Sequence, residues 1–524
     1  MAATAPITGF DASDFANIVG ADGVTTDAGE LDYFSQDYFR KGVDALAVVA
    51  PRNADELSRV VATATGSGLA VFPRGGGYSY TDGYTPSQTG ITLDLRSMNR
   101  VLKIDEQKMY VTVEPGCTWA ELDKALAPLK LRTPFWGPFS GLNATVGGSV
   151  SQGTLSWGSG KYGVSSESVL DLEVVLADGQ RVRTGASGQP NHHPFFRNYG
   201  PDLTGLFLSD CGALGVKSAI TLRLIRRPER MIGLSFGFTS FDKAAEAAAE
   251  VARLGIAADN FGMPESKAIA AASQVSLGQD LKTLWKIGRT GSGVVDGMLR
   301  MAKVAAAGRR FLKDVEFSFH YVLEGANQTQ LNGYAQAVRQ AVGGHGVEIA
   351  NTVPIALRAD PFLKYDMLSP TGQRQLPPST ILPLDGAIPF HQAFFEAIEP
   401  LRPDMEASHM TVTAALATVG TTGFLYEPVI AWDDAVDEFH RRHTSEAVLE
   451  GVADRKPDVE ARELADAIRQ VMIEKAFEHG GVHLQIGRVY PVLRDRDPVG
   501  LGLLQDLKRR VDPRGLINPG ALGL

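Results

Sequence analysis

The chain has 524 residues, of which 44% are apolar and 21% charged, and its formal net charge is −9. This composition is typical of a folded protein with more than one domain, and the acidic balance argues against a nucleic-acid-binding protein. The two cysteines, Cys117 and Cys211, are too few for a disulfide framework, and no apolar run is long enough to cross a bilayer. We therefore expect a cytoplasmic protein with neither nucleic acid nor membrane as a partner.

Residues 45–228 alternate short strands with amphipathic helices. Asn53 and Thr118 are each followed three residues later by a glutamate, which predicts two capped helix starts. Period-two patterns predict strands within 69–73, 90–99, 109–116, 168–185 and 218–228. Within 168–185 the pattern predicts a hairpin, with Asp178 and Gly179 in a type I′ turn. These elements predict an α+β fold with a boundary at Pro228.

The composition of the sequence changes after Pro228. Residues 241–255 predict an alanine-rich helix, and the basic stretch 298–314 predicts a solvated helix face in preference to a membrane-surface helix. The last 45 residues are again interrupted by frequent glycine and proline residues. We expect an N-terminal domain over 1–228, a second domain over 229–479, and a C-terminal segment over 480–524.

The triplet of glycines in "PRGGGYSYTDG" (73–83) raises the question of a nucleotide ligand. A dinucleotide fingerprint is excluded because Tyr80 stands where the third glycine belongs, and "SWGSGKYG" fails as a P-loop at Leu155 and Tyr162. The remaining interpretation is a nest of backbone N–H groups for an anion. Further glycine loops at 140–163 and 210–224 predict one long ligand threaded past all three.

The series of motifs resembles the vanillyl-alcohol oxidase/p-cresol methylhydroxylase (PCMH) superfamily of FAD-linked oxidoreductases. The motifs are "PRGGGYSYTDG", "ITLDLRSMNRVLKID", "VTVEPGCTWAELDKAL", "NATVGGSVSQGT", "DLEVVLADGQ", "DLTGLFLSDCGALGVKSAITLRL" and "LKRRVDPRGLINPGAL". They cover residues 45–228 and about 480–524. The resemblance implies a two-subdomain PCMH-type FAD-binding domain, an α+β cap domain that holds the substrate, and a C-terminal segment that returns to the flavin.

Carried over by position, the resemblance implies that the loop backbones hold FAD. The implied cofactor contacts are Arg74, Gly75, Gly76, Gly77, Tyr78, Ser79, Pro115, Gly116, Thr145, Gly147, Gly148, Ser151, Gly212, Gly215, Val216, Ile220 and Asn518. Tyr78 stands where some relatives carry a histidine joined to the flavin, and the second loop has no cysteine. We expect non-covalent FAD, with a Tyr78–flavin ether as the alternative.

The resemblance places the substrate between the cap and the returning segment. Residues 477–491 predict a strand that lines this space, with His483 as base or orienting group, Arg488 as anion clamp and Tyr490 beside it. Tyr426 and Glu427 are candidates for contacts to a substrate hydroxyl. For each of these residues a purely structural role stays open.

Two further histidines, His440 and His443, lie three apart on a predicted helix. Arginines stand between them, so we interpret them as a solvated charged face and predict no metal site.

The implied function is an FAD-dependent oxidase or dehydrogenase that moves a hydride from an alcohol, a 2-hydroxy acid or a phenolic side chain to FAD. Molecular oxygen or another acceptor would take the electrons. Aromatic residues around the second loop favour an aromatic substrate: Phe135, Trp136, Phe139, Trp157 and Tyr162. A reductase with a nicotinamide donor and a non-catalytic flavin-fold protein are the alternatives, and a homodimer is compatible with the sequence.

Overall fold

The computed structural model describes residues 10–264, 315–362 and 366–524. The basic stretch 298–314 lies outside the described residues. The described helices are Ala12–Val19, Ala28–Phe34, Ala54–Gly66, Trp119–Leu126, Val146–Gln152, Ser159–Tyr162, Leu203–Leu206, Phe241–Arg253, Gln328–Val342, Thr352–Ala359, Ala387–Ile398, Arg402–Ala407, Glu438–Arg442, Glu446–Glu450, Val459–Glu478 and Pro498–Val511.

A four-stranded sheet carries the first glycine loop. Its spatial order is β1-β2-β4-β3, and β4 runs parallel to both β2 and β3. The strands are β1 (Val24–Thr25), β2 (Ala47–Val49), β3 (Ala70–Arg74) and β4 (Gly90–Asp94). Asn53 caps the helix between β2 and β3 through the backbone N–H groups of Asp55 and Glu56, as predicted. The glycine triplet therefore leaves the carboxyl end of a buried strand.

A five-stranded antiparallel sheet follows in the order β5-β6-β10-β8-β9. Its strands are β5 (Val101–Asp105), β6 (Tyr110–Val113), β8 (Val169–Val175), β9 (Arg181–Arg183) and β10 (Val216–Arg223). Two short strands, β7 (Leu131–Arg132) and β11 (Ile225–Arg226), pair beside it. The β8–β9 hairpin is confirmed, but the type I′ turn is wrong, because Gly179 has a positive φ of 80° and Asp178 does not.

The largest sheet, which we call the cap sheet, has eight antiparallel strands. Seven follow the order β15-β12-β14-β13-β18-β19-β16, and β17 also pairs with β19. They are β12 (Arg230–Phe238), β13 (Ala257–Pro264), β14 (Phe317–Gly325), β15 (Val347–Ile349), β16 (Arg374–Leu376), β17 (Thr380–Pro383), β18 (Thr411–Val419) and β19 (Gly423–Trp432).

Helices cover one face of the cap sheet. Phe241–Arg253, Gln328–Val342, Ala387–Ile398 and Val459–Glu478 bury their apolar sides against residues such as Tyr321, Leu416 and Tyr426. Because side chains alternate along a strand, the neighbours of these core residues point to the opposite face. That second face of the cap sheet is turned toward the glycine loops.

Candidate functional site

One large cavity lies between the three glycine loops and the cap sheet, with a volume of about 530 Å³. The loops supply one wall through residues of 73–84, 138–160 and 211–217. The cap sheet supplies the other wall through residues of β13, β18 and β19. A cavity shared by two parts of a chain in this way is the usual setting for a small-molecule site.

The first loop approaches the second so closely that side chains are excluded. A Cβ on Gly76 would lie 2.1 Å from the carbonyl oxygen of Asn143, and one on Gly75 would lie 2.4 Å from Oγ1 of Thr145. Gly77 has a φ of +79°, a conformation that favours glycine. The triplet therefore exposes bare backbone to the cavity.

The second loop enters the short helix Val146–Gln152. Thr145 caps this helix by accepting a hydrogen bond from the Gly148 N–H at 3.1 Å. A Cβ on Gly147 would meet Pro115 at 2.6 Å, so the helix start lies directly on the preceding β6–helix turn. This packing brings Thr145, Gly147, Gly148 and Pro115 into one wall of the cavity.

The third loop is held by a buried ion pair. Asp210 accepts hydrogen bonds from the Gly212 N–H at 3.0 Å and from the Lys217 ammonium. Both charged side chains are almost fully buried. Gly212 has a φ of +69° and lies against Pro73, which joins this loop to the first.

Most residues implied as cofactor contacts line this cavity. They are Gly75, Gly76, Gly77, Tyr78, Ser79, Pro115, Thr145, Gly147, Gly148, Ser151, Gly212, Gly215 and Val216. Gly116, Ile220, Asn518 and Arg74 do not line it. Gly116 packs on the Leu95 carbonyl, and Ile220 is core of the five-stranded sheet.

Arg74 lies beneath the glycine triplet and away from the cavity lining. Its Nη1 donates to the carbonyl oxygen of Tyr33 at 2.9 Å, and its guanidinium stacks over the rings of Tyr33 and Tyr84. Nη2 is buried and has no hydrogen-bond partner among the described residues. The bare glycine backbone above this buried cation fits a phosphate-bearing cofactor such as FAD.

Tyr78 presents its ring to the cavity and anchors its hydroxyl behind the loop. Its oxygen accepts a hydrogen bond from Nδ2 of Asn143 at 2.6 Å and lies 3.1 Å from Nδ1 of His443. Nε2 of His443 lies 2.8 Å from the Tyr33 hydroxyl. Burial raises the pKa of Tyr78 to about 12, and burial with nearby arginines lowers the pKa of His443 to about 4.

The interpretation of His440 and His443 as a solvated face is wrong. His440 is fully buried, with Nδ1 2.6 Å from the Asp437 carboxylate, and His443 is bonded to two tyrosines. His440 lies in the short helix Glu438–Arg442 and His443 follows it at the C-cap, so the exposed side of the helix is formed by Arg441 and Arg442. The sequence held no local signal for these contacts, because the partners of His443 lie more than 360 residues away.

The structure separates Tyr426 from Glu427. Both lie on β19, where neighbouring side chains point to opposite faces. Tyr426 is buried in the helix-covered core, with its hydroxyl 2.6 Å from Nδ1 of His391. Glu427 faces the cavity, and the Tyr80 hydroxyl donates to its Oε2 at 3.3 Å. The alternation that assigns these two faces was already present in the sequence.

The predicted strand within 477–491 is wrong. Only Val482 makes a bridge, to Ile381, and the chain then turns with positive φ at Gln485 and Gly487. A Cβ on Gly487 would lie 1.9 Å from the Thr81 carbonyl oxygen, so the backbone is folded onto the first loop. From this segment Gln485, which the predicted strand places on its polar face with His483, reaches the cavity lining.

His483 and Tyr490 support each other outside the cavity lining. Their rings stack with centroids 4.1 Å apart, and His483 Nδ1 donates to the Ser379 carbonyl oxygen at 2.8 Å. The Ser379 N–H in turn donates to the Tyr490 hydroxyl at 2.9 Å. Burial lowers the pKa of His483 and raises that of Tyr490 to about 12.

Arg488 ties the C-terminal segment to the first loop and does not line the cavity. Its guanidinium donates to the carbonyl oxygens of Asp82, Thr85 and Pro519, and to Oδ1 of Asn518 at 2.7 Å. Nδ2 of Asn518 donates to the carbonyls of Gly83 and Cys211. These two residues therefore act as cross-links between loops.

A buried charge network closes one end of the cavity. Arg358 pairs with Asp259 at 2.7 Å and with Glu324, and Glu324 also pairs with Arg132. Asp259 lines the cavity and accepts the Gly158 N–H at 2.6 Å. The network joins the cap sheet to the segment that follows the second loop.

The aromatic residues near the second loop divide into two groups. Phe139 and Trp157 line the cavity, with ring centroids 4.8 Å apart. Trp136 stacks on Trp157 behind them, while Phe135 packs against Trp119 in the core. Part of this cluster is therefore structural.

Two other kinds of site are absent from the described part of the chain. No three His, Cys, Asp or Glu side chains there are grouped so that they could hold a metal ion. Among the same residues, no helix combines the length and the apolar character that a membrane crossing requires.

Two parts of the chain are similar to known protein families. The model of an FAD-binding domain matches residues 45–185, and that of the C-terminal domain of FAD-linked oxidases matches residues 451–522. A glycolate oxidase subunit from Bacillus subtilis is 33% identical over 39% of this chain and 42% of its own length. A D-lactate dehydrogenase from Archaeoglobus fulgidus is 31% identical over 41% and 46%. The chain spans less than half the length of these two relatives.

Solved structures extend the likeness to the whole fold. A substrate-bound p-cresol methylhydroxylase superimposes with a TM-score of 0.70 over 98% of this chain and 96% of its own, at 17% identity. A 4-ethylphenol oxidase from Gulosibacter chungangensis gives 0.69 over 98% and 96%, also at 17% identity. The two matched models, the shared fold and the three glycine loops lead to one conclusion: the chain has the PCMH fold, and its residues 45–185 and 451–522 match an FAD-binding domain and the C-terminal domain of FAD-linked oxidases, which implies FAD as the cofactor.

Proposed function

We propose that the protein is an FAD-dependent oxidase or dehydrogenase that oxidises an alcohol, a 2-hydroxy acid or a phenolic side chain. The observation that carries the proposal is the cavity itself, which has glycine backbone on one wall and the Glu427 carboxylate on the other. FAD supplies a hydride acceptor when it is bound. The residues of the cap wall would then bind the donor and accept its proton.

Glu427 is the proposed proton acceptor for the donor hydroxyl. A carboxylate that faces a cavity can accept a hydrogen bond from a hydroxyl and then its proton. Tyr80 donates to Oε2 at 3.3 Å and so orients the carboxylate. Gln375 and Gln485 also line the cavity and offer amide groups to polar parts of the donor. We assign His483, Tyr490 and Tyr426 to the support of this wall, and Arg488 to the support of the first loop.

We further propose that FAD is held without a covalent bond. A phenol must lose its proton to attack carbon, and burial raises the pKa of Tyr78 to about 12. The Tyr78 oxygen is also engaged by Asn143 and His443. A tyrosyl ether at Tyr78 is the alternative, and the state of the flavin after denaturation distinguishes the two.

The remaining assignments concern the organisation of the protein. We propose residues 1–228 as the FAD-binding domain, 229–479 as the cap and 480–524 as the segment that completes the site. We also propose a cytoplasmic location, since both cysteines are buried thiols 94 positions apart in sequence that form no disulfide. Molecular oxygen or a protein acceptor would reoxidise the flavin, and a homodimer is consistent with this assignment.

The proposed function is tested by anaerobic reduction of the bound flavin. Purified protein is mixed with hydroxy acids, apolar alcohols, alkylphenols and reduced nicotinamides, and loss of the flavin absorbance is recorded. We expect bleaching by a donor with a hydroxyl or benzylic carbon, followed by recovery when air or an artificial acceptor is added. Bleaching by reduced nicotinamide alone would favour a reductase, and a flavin that no donor reduces would favour a binding protein.

A further inference from the structure

The cap wall of the cavity has a row of small side chains at its centre. Ala415 and Ala417 lie on β18, and their cross-strand partners on β19 are Glu427 and Leu425. All four line the cavity, as do Phe261 and Met263 on β13, the strand on the other side of β18. Two alanines therefore lie between rows of larger residues.

The orientation of these alanines follows from strand alternation. Leu416, between them, is 2% exposed and belongs to the helix-covered core. Gly262 is paired with Leu416, and a Cβ on Gly262 would meet Phe319 and Leu416 on that same core face. The flanking positions of β13 and β18 must then point to the cavity. Both alanines are only partly buried, in agreement with this placement.

Side chains on one face of neighbouring strands lie about 4.5–5.5 Å apart at Cβ, so a methyl group beside larger neighbours leaves a depression. The depression begins opposite Glu427 and continues along β18 to Ala417. Its borders are apolar on both sides, from Leu425 to Phe261 and Met263.

We propose that Ala415 and Ala417 determine the size of the substrate, by accepting its apolar body along β18 while the reacting hydroxyl lies at Glu427. This inference rests on the proposed function. It narrows the substrate to an alcohol, hydroxy acid or phenol with an apolar body of several carbons. Two-carbon and three-carbon hydroxy acids would leave the depression unfilled.

The inference is tested with two donor series, unbranched 2-hydroxy acids and 4-alkylphenols, each of increasing chain length. In the series that reduces the wild-type flavin, kcat/KM is expected to rise about three- to fourfold for each added methylene, the value of one buried CH₂. Ala417→Leu should abolish this rise and lower kcat/KM for the longest donors by at least about tenfold. The shortest donors should keep their wild-type values.

Controls separate substrate size from folding. Thr411→Leu adds bulk at an exposed position of the same strand and should leave the length profile unchanged. Ala415→Gly and Ala417→Gly enlarge the depression and should move the optimum to longer donors, which keeps the inference testable if the leucine variant fails to fold. Flavin content and melting temperature are measured for every variant.

Three outcomes would overturn the inference. It is overturned if Ala417→Leu and the wild type share one length profile, or if the shortest donors are the best substrates of the wild type. If no donor of either series and no apolar alcohol reduces the wild-type flavin, the proposed function fails, and the inference fails with it. The first two outcomes leave the proposed function intact.

Discussion

The Tyr78 hydroxyl lies 3.1 Å from Nδ1 of His443, although the two residues are 365 positions apart in sequence. Burial holds both groups in their neutral forms near pH 7, since it raises the pKa of the phenol and lowers that of the imidazole. The segment that carries His443 thereby fixes the side chain that follows the glycine triplet. A tyrosine in this position is a neutral, anchored part of the cavity wall.

Denaturation of the native protein should release its flavin. The neutral Tyr78 phenol is a poor nucleophile, so we expect all flavin absorbance in the supernatant after acid precipitation and none with the polypeptide. Tyr78→Phe should keep its flavin content, because the ring stays in the wall and only the bonds to Asn143 and His443 are lost. Flavin fluorescence that stays with the denatured wild-type chain and disappears in Tyr78→Phe would establish the ether.

Replacement of Glu427 by glutamine should slow flavin reduction by a donor about 10²- to 10⁴-fold, the usual value of a general base. Flavin content should not change, because the substitution keeps the shape of the side chain. The matched control is Tyr426→Phe, one residue away on the opposite face. It removes the bond to His391 and should cost about 1 kcal/mol of stability, with the reduction rate preserved. Equal rates in Glu427→Gln and wild type would remove Glu427 from the mechanism.

Gly76→Ala should weaken FAD binding severely. The added Cβ would lie 2.1 Å from the Asn143 carbonyl oxygen, so the first and second loops must separate. Gly333→Ala is the control, because a Cβ on this exposed helical glycine meets nothing within 4 Å. It should raise stability by up to about 1 kcal/mol and leave flavin binding unchanged. Titration of each apoprotein with FAD measures the affinity of the two variants for the cofactor. Tight binding by Gly76→Ala would contradict the loop geometry.

Arg488→Met should destabilise the protein by about 1–3 kcal/mol, because its carbonyl partners lose a buried donor. The flavin should also dissociate faster, since the cross-link holds the first loop against the C-terminal segment. Arg509→Met serves as control: this side chain is 71% exposed and pairs with the exposed Asp506, so the melting temperature of the variant should match the wild type. An anion clamp would instead raise KM for acidic donors with the melting temperature unchanged.

The contribution of His391 and His443 to stability should fall as the solution is acidified below about pH 6.5. Burial lowers the pKa of both His391 and His443 to about 4 from the ordinary value of 6.5. The unfolded chain therefore takes up protons first, and the contribution of the neutral rings, complete above 6.5, is lost progressively toward 4. His391→Gln should flatten the dependence of melting temperature on pH in this range. His192→Gln, at an exposed position, should leave it unchanged.

Local signals predicted the flavin-binding half of the fold. Asn53 and Thr118 cap helices through neighbouring backbone groups, and the glycine loops owe their shape to the missing side chains, so a short stretch of sequence determines each. The prediction of a strand within 477–491 is wrong because contacts of Gly487 with Thr81, about 400 residues away, override the apolar alternation of this segment. Long-range contacts of this kind leave no periodic pattern in the sequence. The separation of Tyr426 from Glu427 follows from strand alternation alone, so this part of the site is predictable from the sequence.

The pairing of residues 516–518 with Val71 determines when the cofactor site can close during synthesis of the chain. Val71 donates to the Leu516 carbonyl at 2.8 Å, the Asn518 N–H donates back to Val71 at 2.8 Å, and the Asn518 side chain bonds the loops at Gly83 and Cys211. The loops that face the cavity are thus cross-linked by a residue translated more than 400 codons after the first of them. A ribosome-bound chain must wait for Asn518 to emerge before its cofactor site can close.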